Sequence, residues 1–160
     1  MCNYSSFYYK SPIGTLEIRG NQKGIASVLF VRSMIEEATD IPSELQDCVM
    51  QLDAYFSGER KIFDLKLNPK GTPFQQKVWH ELLTIPYAQT RTYLEQTKAL
   101  GDVKAIRAVA SANGKNPISI IIPCHRVIGS NGSLTGYAGG IMKKKWLLEH
   151  EAGIKQERLF

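Results

Sequence analysis

The chain has 160 residues, 43% hydrophobic and 22% charged, a balance that suits one or two globular domains and excludes a fibrous or wholly disordered protein. No apolar run approaches the ~20 residues needed to span a bilayer, and residues 1–6 have neither a basic start nor an apolar signal core. A soluble intracellular protein is expected, cytoplasmic, or nuclear if the source is eukaryotic, with no membrane partner. The net charge of +5 is unevenly spread: residues 1–72 carry 8 Lys/Arg against 9 Asp/Glu, and residues 73–160 carry 12 against 6. The basic half suits a polyanion partner or, more plainly, a solvated face.

In chain order, residues 7–9, 14–19 and 25–31 are short β-branched and aromatic runs separated by Ser11-Pro12, Gly20-Asn21 and Lys23-Gly24, which predicts an antiparallel meander. Ser43 with Gln46 three residues on reads as a capping box. It opens a helix whose face is Leu45, Val49, Leu52 and Tyr55/Phe56 and which ends at Ser57-Gly58. Residues 62–67 lean toward period two, an expected edge strand. Asn68-Pro69-Lys70-Gly71 looks like a linker, so the domains are placed at residues 1–70 and 71–160.

Beyond it, Thr72-Pro73-Phe74-Gln75 combines an N-cap, a first-turn proline and Gln, opening a helix with Phe74, Val78 and Leu82 inward and Pro86 at its close. Residues 93–100 read as a second helix, ended by Gly101. Asp102 caps a third, with Ala105, Ile106, Val109 and Ala112 inward and Gly114 after its end. Two short helices joined by a glycine turn have the proportions of a helix-turn-helix, a pattern also found in proteins that never touch DNA. Lys104, Arg107 and Ser111 share one stripe of the third helix, and its alanines keep the rod thin enough to approach a duplex. The last helix, about residues 142–150, carries Lys143-Lys144-Lys145, read as a solvated face.

Cys124 lies in Ile120-Ile121-Ile122-Pro123-Cys124-His125-Arg126-Val127, where an apolar run fit for a buried strand stops at a proline and delivers a thiol beside an imidazole. A thiol is nucleophilic as thiolate, and neighbouring His and Arg can lower its pKa. The competing reading is a small buried hydrophobe. Cys2, Cys48 and the histidines His80, His125 and His150 show no metal-ligand spacing and no disulfide framework. Cys48 is expected in the core and Cys2 at a frayed terminus. The glycine-rich stretch Gly132 to Gly140 reads either as a loop that lets a flat ligand lie close to backbone or as a hairpin and linker.

Taken together, Leu52-Asp53-Ala54-Tyr55-Phe56-Ser57-Gly58, Thr72-Pro73-Phe74-Gln75-Gln76-Lys77-Val78-Trp79, Arg107-Ala108-Val109, Asn116-Pro117, Pro123-Cys124-His125-Arg126-Val127, Gly136-Tyr137-Ala138-Gly139-Gly140 and Trp146-Leu147-Leu148-Glu149-His150-Glu151 resemble the O6-alkylguanine-DNA alkyltransferase family over nearly the whole chain. The resemblance implies a ribonuclease H-like N-terminal α/β domain and a mostly helical, winged-helix-like C-terminal domain with a helix-turn-helix. It implies a single-turnover methylated-DNA--protein-cysteine methyltransferase acting on double-stranded DNA from the minor groove, without cofactor or metal; a monomer is expected, although the sequence itself does not give the quaternary state.

The implied substrate is O6-alkylguanine, with O4-alkylthymine as a second candidate, flipped out of the duplex and dealkylated irreversibly by Cys124. By the same resemblance His125 takes the thiol proton through water, Glu151 orients the imidazole, and Tyr93 donates to the leaving base. Asn116 braces the active-site turns. Val127 and Cys124 offer carbonyls to the guanine amino group, Tyr137 and Ala138 form the lid, and Lys144 stands near the pocket. Arg107 takes the place of the flipped nucleotide, with Lys104 and Ser111 on the same DNA-facing helix. The chain departs from the family pattern at Ala88, Thr92 and Ala110, and the zinc ligands of some animal members find no match. No added regulatory domain is expected. A lesion-binding relative without transfer activity and a redox or metal protein are the rival classes.

Overall fold

Side chains alternating in and out build the first three strands of the structure, a computed structural model that describes residues 3–32 and 40–154. In β1 (Ser5–Ser11), Phe7, Tyr9 and Ser11 face inward; in β2 (Gly14–Asn21), Leu16 and Ile18 do. β3 (Gly24–Val31) completes an antiparallel meander in the order β1-β2-β3, with a register shift between Arg19 and Gly20. Gly24 is required where it stands: its φ is +130°, and a Cβ there would lie 2.7 Å from the Lys66 carbonyl oxygen.

The helix that covers this sheet, α1 (Gln46–Phe56), buries Leu52, Tyr55, Val49 and Cys48, with Leu45 just ahead of it. Each such side chain contributes about 1.5–3 kcal/mol by leaving water. The predicted capping box at Ser43 is not formed. A 3-10 turn, Ser43–Leu45, precedes α1, closed by Leu45 N–H donating to the Pro42 carbonyl at 2.9 Å. Ser43 is already inside a turn instead of extended ahead of a helix, and its hydroxyl donates to Glu44.

The edge strand predicted at residues 62–67 is also absent; one parallel bridge, Ile25 to Leu67, is all that forms there. The side-chain amide of Gln51 takes the place of a strand partner, donating to the Asp64 carbonyl at 2.9 Å and accepting from the Asp64 N–H at 2.8 Å. The remaining edge of β3 is met at Val28 by a returning segment, which accepts through Pro117 and donates through Ser119. Among the described residues, one unit thus comprises residues 3–70 with Pro117–Ser119, and the other comprises Gly71–Asn116 and residues 120–154.

In the second unit, α2 (Pro73–Leu82) starts with the expected capping box: Thr72 accepts from Gln75 N–H, and the Gln75 side chain accepts from Thr72 N–H. Val78, Trp79 and Leu82 are buried, and the Trp79 indole N–H donates to the Ala112 carbonyl at 2.8 Å. Phe74 and, further on, Ile106 stay exposed although they lie on apolar stripes. Phe74 sits in the first turn of its helix, where the side chain leans toward the N-terminus and overhangs no preceding helical turn, whereas Ile106, directly after a 3-10 turn, faces an open cavity.

A two-residue strand, β4 (Arg91–Thr92), leads into α3 (Tyr93–Ala99), which has its own capping box of Thr92 with Glu95. Gly101, the Asp102-capped 3-10 turn Val103–Ala105 and α4 (Ile106–Gly114) complete a helix-turn-helix. Gly114 is the last residue of α4 and does not lie beyond it. The two helices are tied by reciprocal amide bonds between buried Gln96 and Asn113, at 2.8 and 2.7 Å. β5 (Val127–Ile128) pairs in parallel with β4, and α5 (Ile141–Glu151) closes the unit. Among the described residues no helix is long and apolar enough to cross a membrane. Cys2 lies outside the described residues.

Candidate active site

Residues 120–122 are buried as the sequence suggests, yet they form a turn and no strand, with Ile120 at φ +73°. A β-branched residue in the left-handed region is strained by a kcal/mol or more, and such strain gathers at sites the surrounding fold over-determines. Pro123, at φ −84° and ψ 62°, then makes an inverse γ-turn in which Cys124 N–H donates to the Ile122 carbonyl at 2.8 Å. Cys124–Arg126 is one 3-10 turn. Successive side chains therefore fan out around a turn and do not alternate across a strand.

Asn116, just past α4, braces both sides of this turn. Its Nδ2 donates to the Ile122 carbonyl at 2.8 Å and to Cys124 Sγ at 3.3 Å. Burial pushes the Cys124 thiol up; the Asn116 hydrogen bond and the Lys144 charge work in the opposite direction. The expectation that His125 and Arg126 flank the thiol as its activating charges is corrected here, since both turn toward Glu151 of α5.

His125 Nε2 stands 2.7 Å from Glu151 Oε2, and Arg126 donates to the same carboxylate through Nε at 2.8 Å and Nη2 at 3.1 Å. Arg126 Nη1 donates to the Ile85 carbonyl at 2.8 Å. A carboxylate can only accept, so neutral His125 carries its hydrogen on Nε2 and leaves Nδ1 as an acceptor. That Nδ1 is buried without a hydrogen-bond partner. Burial pushes Glu151 up, but His125 and Arg126 outweigh it and hold the carboxyl far below the usual range, Arg126 as the permanent cation. Burial lowers His125, against the pull of Glu151, and so favours the neutral ring.

Lys144, expected on a solvated face, is fully buried. Its Nζ donates to the Thr135 carbonyl at 2.9 Å and lies 5.8 Å from the Tyr93 ring centroid. The Tyr93 hydroxyl donates to the same carbonyl at 3.0 Å. Burial raises the Tyr93 phenol, and the nearby Cys124 raises it further, against the Thr135 hydrogen bond. Burial lowers the Lys144 ammonium.

Beside this cluster opens a cavity of about 650 Å³, within the range of small-molecule pockets. Tyr93, Arg107, Tyr137 and Ala138 line it, with Ile106, Ala110 and Gly114 on the α4 side and Thr135 and Gly136 on the loop side. Lys104 and Ser111 are exposed but outside its wall. Cys124, Asn116, Val127 and Lys144 are buried and also outside its wall, although Cys124 lies close enough to the lining Tyr93 to raise its phenol. Among the described residues no group of three or more His, Cys, Asp or Glu could hold a metal ion.

Sequence reasoning missed the Thr135 carbonyl and the attachment of Arg126 to Glu151 and Ile85. A backbone carbonyl leaves no side-chain signal, and the Arg126 partners lie 25 and 41 positions away.

Residues 5–69 match the family model for the 6-O-methylguanine DNA methyltransferase ribonuclease-like domain, and residues 73–153 match that for its DNA binding domain. The chain belongs to the 6-O-methylguanine DNA methyltransferase family. A methylated-DNA--protein-cysteine methyltransferase of Methanosarcina acetivorans is 47% identical over 150 residues, covering 89% of this chain and 95% of that protein. One of Mycobacterium tuberculosis is 48% identical over 145 residues, covering 88% of each. A crystal structure of the Mycobacterium tuberculosis O6-methylguanine methyltransferase superposes with a TM-score of 0.85 at 44% identity over 96% of both chains. The OGT of that organism, crystallised in complex with DNA, gives 0.84 at 46% identity over 92% of this chain and 93% of that one. Family membership accounts for the two-part fold, a ribonuclease-like sheet unit followed by a helical DNA-binding unit.

Proposed function

We propose that this chain is a DNA repair methyltransferase that takes the alkyl group of O6-alkylguanine onto Cys124, once per molecule. The observation that carries the reading is a buried thiol held by Asn116 and followed in the chain by an imidazole whose Nε2 is fixed by Glu151 and whose buried Nδ1 has no hydrogen-bond partner.

The lesion is rotated out of double-stranded DNA into the cavity of about 650 Å³, at an unstacking cost of a few kcal/mol. Arg107 fills the vacated stack from the minor groove, and Lys104 and Ser111 meet the backbone beside it. The Cys124 proton passes through water to His125 Nδ1. Sγ then attacks the alkyl carbon in line, an S–C bond forms, the C–O6 bond breaks, and its electron pair stays on guanine. The thiol hydrogen is replaced on sulfur by carbon, guanine regains one proton from Tyr93 at the ring, and the proton first taken by His125 is released to solvent, from which the Tyr93 phenol is restored.

For this Tyr93 exchanges its bond to the Thr135 carbonyl for one to the base, while Lys144 keeps hold of that carbonyl. Tyr137 and Ala138 close over the base, and the Val127 and Cys124 carbonyls accept from its amino group. The scheme balances without cofactor or metal. O4-alkylthymine is a second candidate substrate. We infer a monomer with its domain boundary in the chain near residue 70, acting in the cytoplasm, or in the nucleus of a eukaryote.

Incubation with a duplex carrying O6-methylguanine, followed by intact mass measurement, tests this reading. One added methyl per chain is expected. Tight lesion binding with no added mass would replace it by the lesion-flagging reading.

A further inference from the structure

The Glu151 carboxylate is gripped by more donors than its partnership with His125 requires. Oε1 accepts from Arg126 Nε at 2.8 Å and from Ala88 N–H at 3.3 Å; Oε2 accepts from Arg126 Nη2 at 3.1 Å and faces His125 Nε2 at 2.7 Å. The guanidinium is fixed at a third point by the Ile85 carbonyl, and its carbon lies 5.7 Å from the centroid of the Tyr87 ring. A two-toothed Arg–carboxylate contact fixes orientation as well as distance, which a lysine in that place would not do. We propose that Arg126 is a positioning residue for the proton transfer: it aims one oxygen of Glu151 at His125 Nε2 and cancels the carboxylate's charge, so that Nδ1 stays empty until Cys124 gives up its proton. This rests on the alkyl-transfer reading and deepens it.

Charge governs where a proton rests in a buried site. Glu151 and Arg126 together are neutral, so a proton on His125 is a net added charge. A carboxylate facing the ring without its guanidinium would instead hold that proton firmly, and the ring would be loaded before the thiol ionised. The other groups that act on His125 and Glu151 push the same way or hardly at all. Lys144, from α5, also disfavours a charged ring; Tyr87 is neutral, its hydroxyl raised first by burial and then by Glu151. Cys124 is the proton's source, and Tyr93 is linked electrostatically to Cys124.

The test is the pH dependence of the single-turnover transfer rate from an O6-methylguanine duplex, measured on the full chain. In Arg126→Gln the acid limb is expected to move up by about one pH unit or more, the size of a lost charge neighbour. In Arg126→Lys the limb is expected to return to the wild-type position, because the charge is kept although the two-toothed grip is lost. A uniform loss of rate at every pH, with the limb unmoved in Arg126→Gln, would overturn the proposal and leave Arg126 a folding residue.

If the glutamine variant does not fold, nitrogen-15 NMR of His125 in the wild-type protein decides. A ring protonated on Nε2 alone at neutral pH is expected, and an imidazolium there would overturn the proposal. A wild-type protein that gains no methyl at any pH would be the distinct signature of failure of the transfer reading itself, and the proposal would fall with it.

Discussion

Among the described residues two buried free cysteines, one in each unit, differ in what surrounds them. Cys48, on the inner face of α1, sits in the apolar core of the sheet unit, and burial pushes its thiol up to about 12. Cys124 is also raised by burial, but an amide hydrogen points at its sulfur and an ammonium lies within electrostatic reach. Burial alone makes a thiol inert. A thiolate becomes reachable only where the fold has already placed donors and a proton acceptor, whereas burial is the one influence that shifts the Cys48 thiol.

The largest break in this comparison is Cys124→Ser, which is expected to abolish methyl transfer while leaving duplex binding intact in a gel-shift titration. Next comes Glu151→Gln. Removing one member of a buried ion cluster strands the others, so unfolding of the helical unit should be easier by about 3–5 kcal/mol in denaturant titration.

The pH dependence sharpens this. Because the folded Glu151 carboxyl is held below its unfolded value, its stabilisation is complete above the unfolded carboxylate's titration and is lost as pH falls toward the folded one. Stability should therefore fall from about pH 5 downward in the wild type, and more shallowly in Glu151→Gln. Asn116→Ala withdraws the donor from sulfur and should slow transfer about 10- to 100-fold, an effect worth roughly 1–3 kcal/mol. The smallest change belongs to the other cysteine: Cys48→Ala should cost about 1 kcal/mol of stability and leave the transfer rate unaltered.

Legibility in the sequence followed the range of the interactions. The meander of β1 to β3 could be read because its signals are local alternation and turn residues, and the Thr72 capping box because its two partners are three positions apart. The same rule failed at Ser43, where Pro42 had already begun a turn. Residues 120–122 misled because a short apolar run is equally compatible with a strand and with a buried turn.

In the site, the pairing of His125 with Glu151 was legible through the family resemblance, but the grip of Arg126 on Glu151 was not. By its run of lysines Lys144 looked like its neighbours Lys143 and Lys145; the resemblance set it near the pocket, but its bond to the Thr135 carbonyl left no signal in the sequence. Such pairings are made by the tertiary fold, between residues with no periodic relation to one another.

The central claim, that one of two buried thiols is a nucleophile because of its neighbours, is tested most directly by peptide mapping after reaction with an O6-methylguanine duplex. The account predicts a single methyl on the peptide containing Cys124, with the Cys48 peptide at its original mass. A methyl on Cys48, or on neither peptide after prolonged exposure to excess duplex, would contradict it.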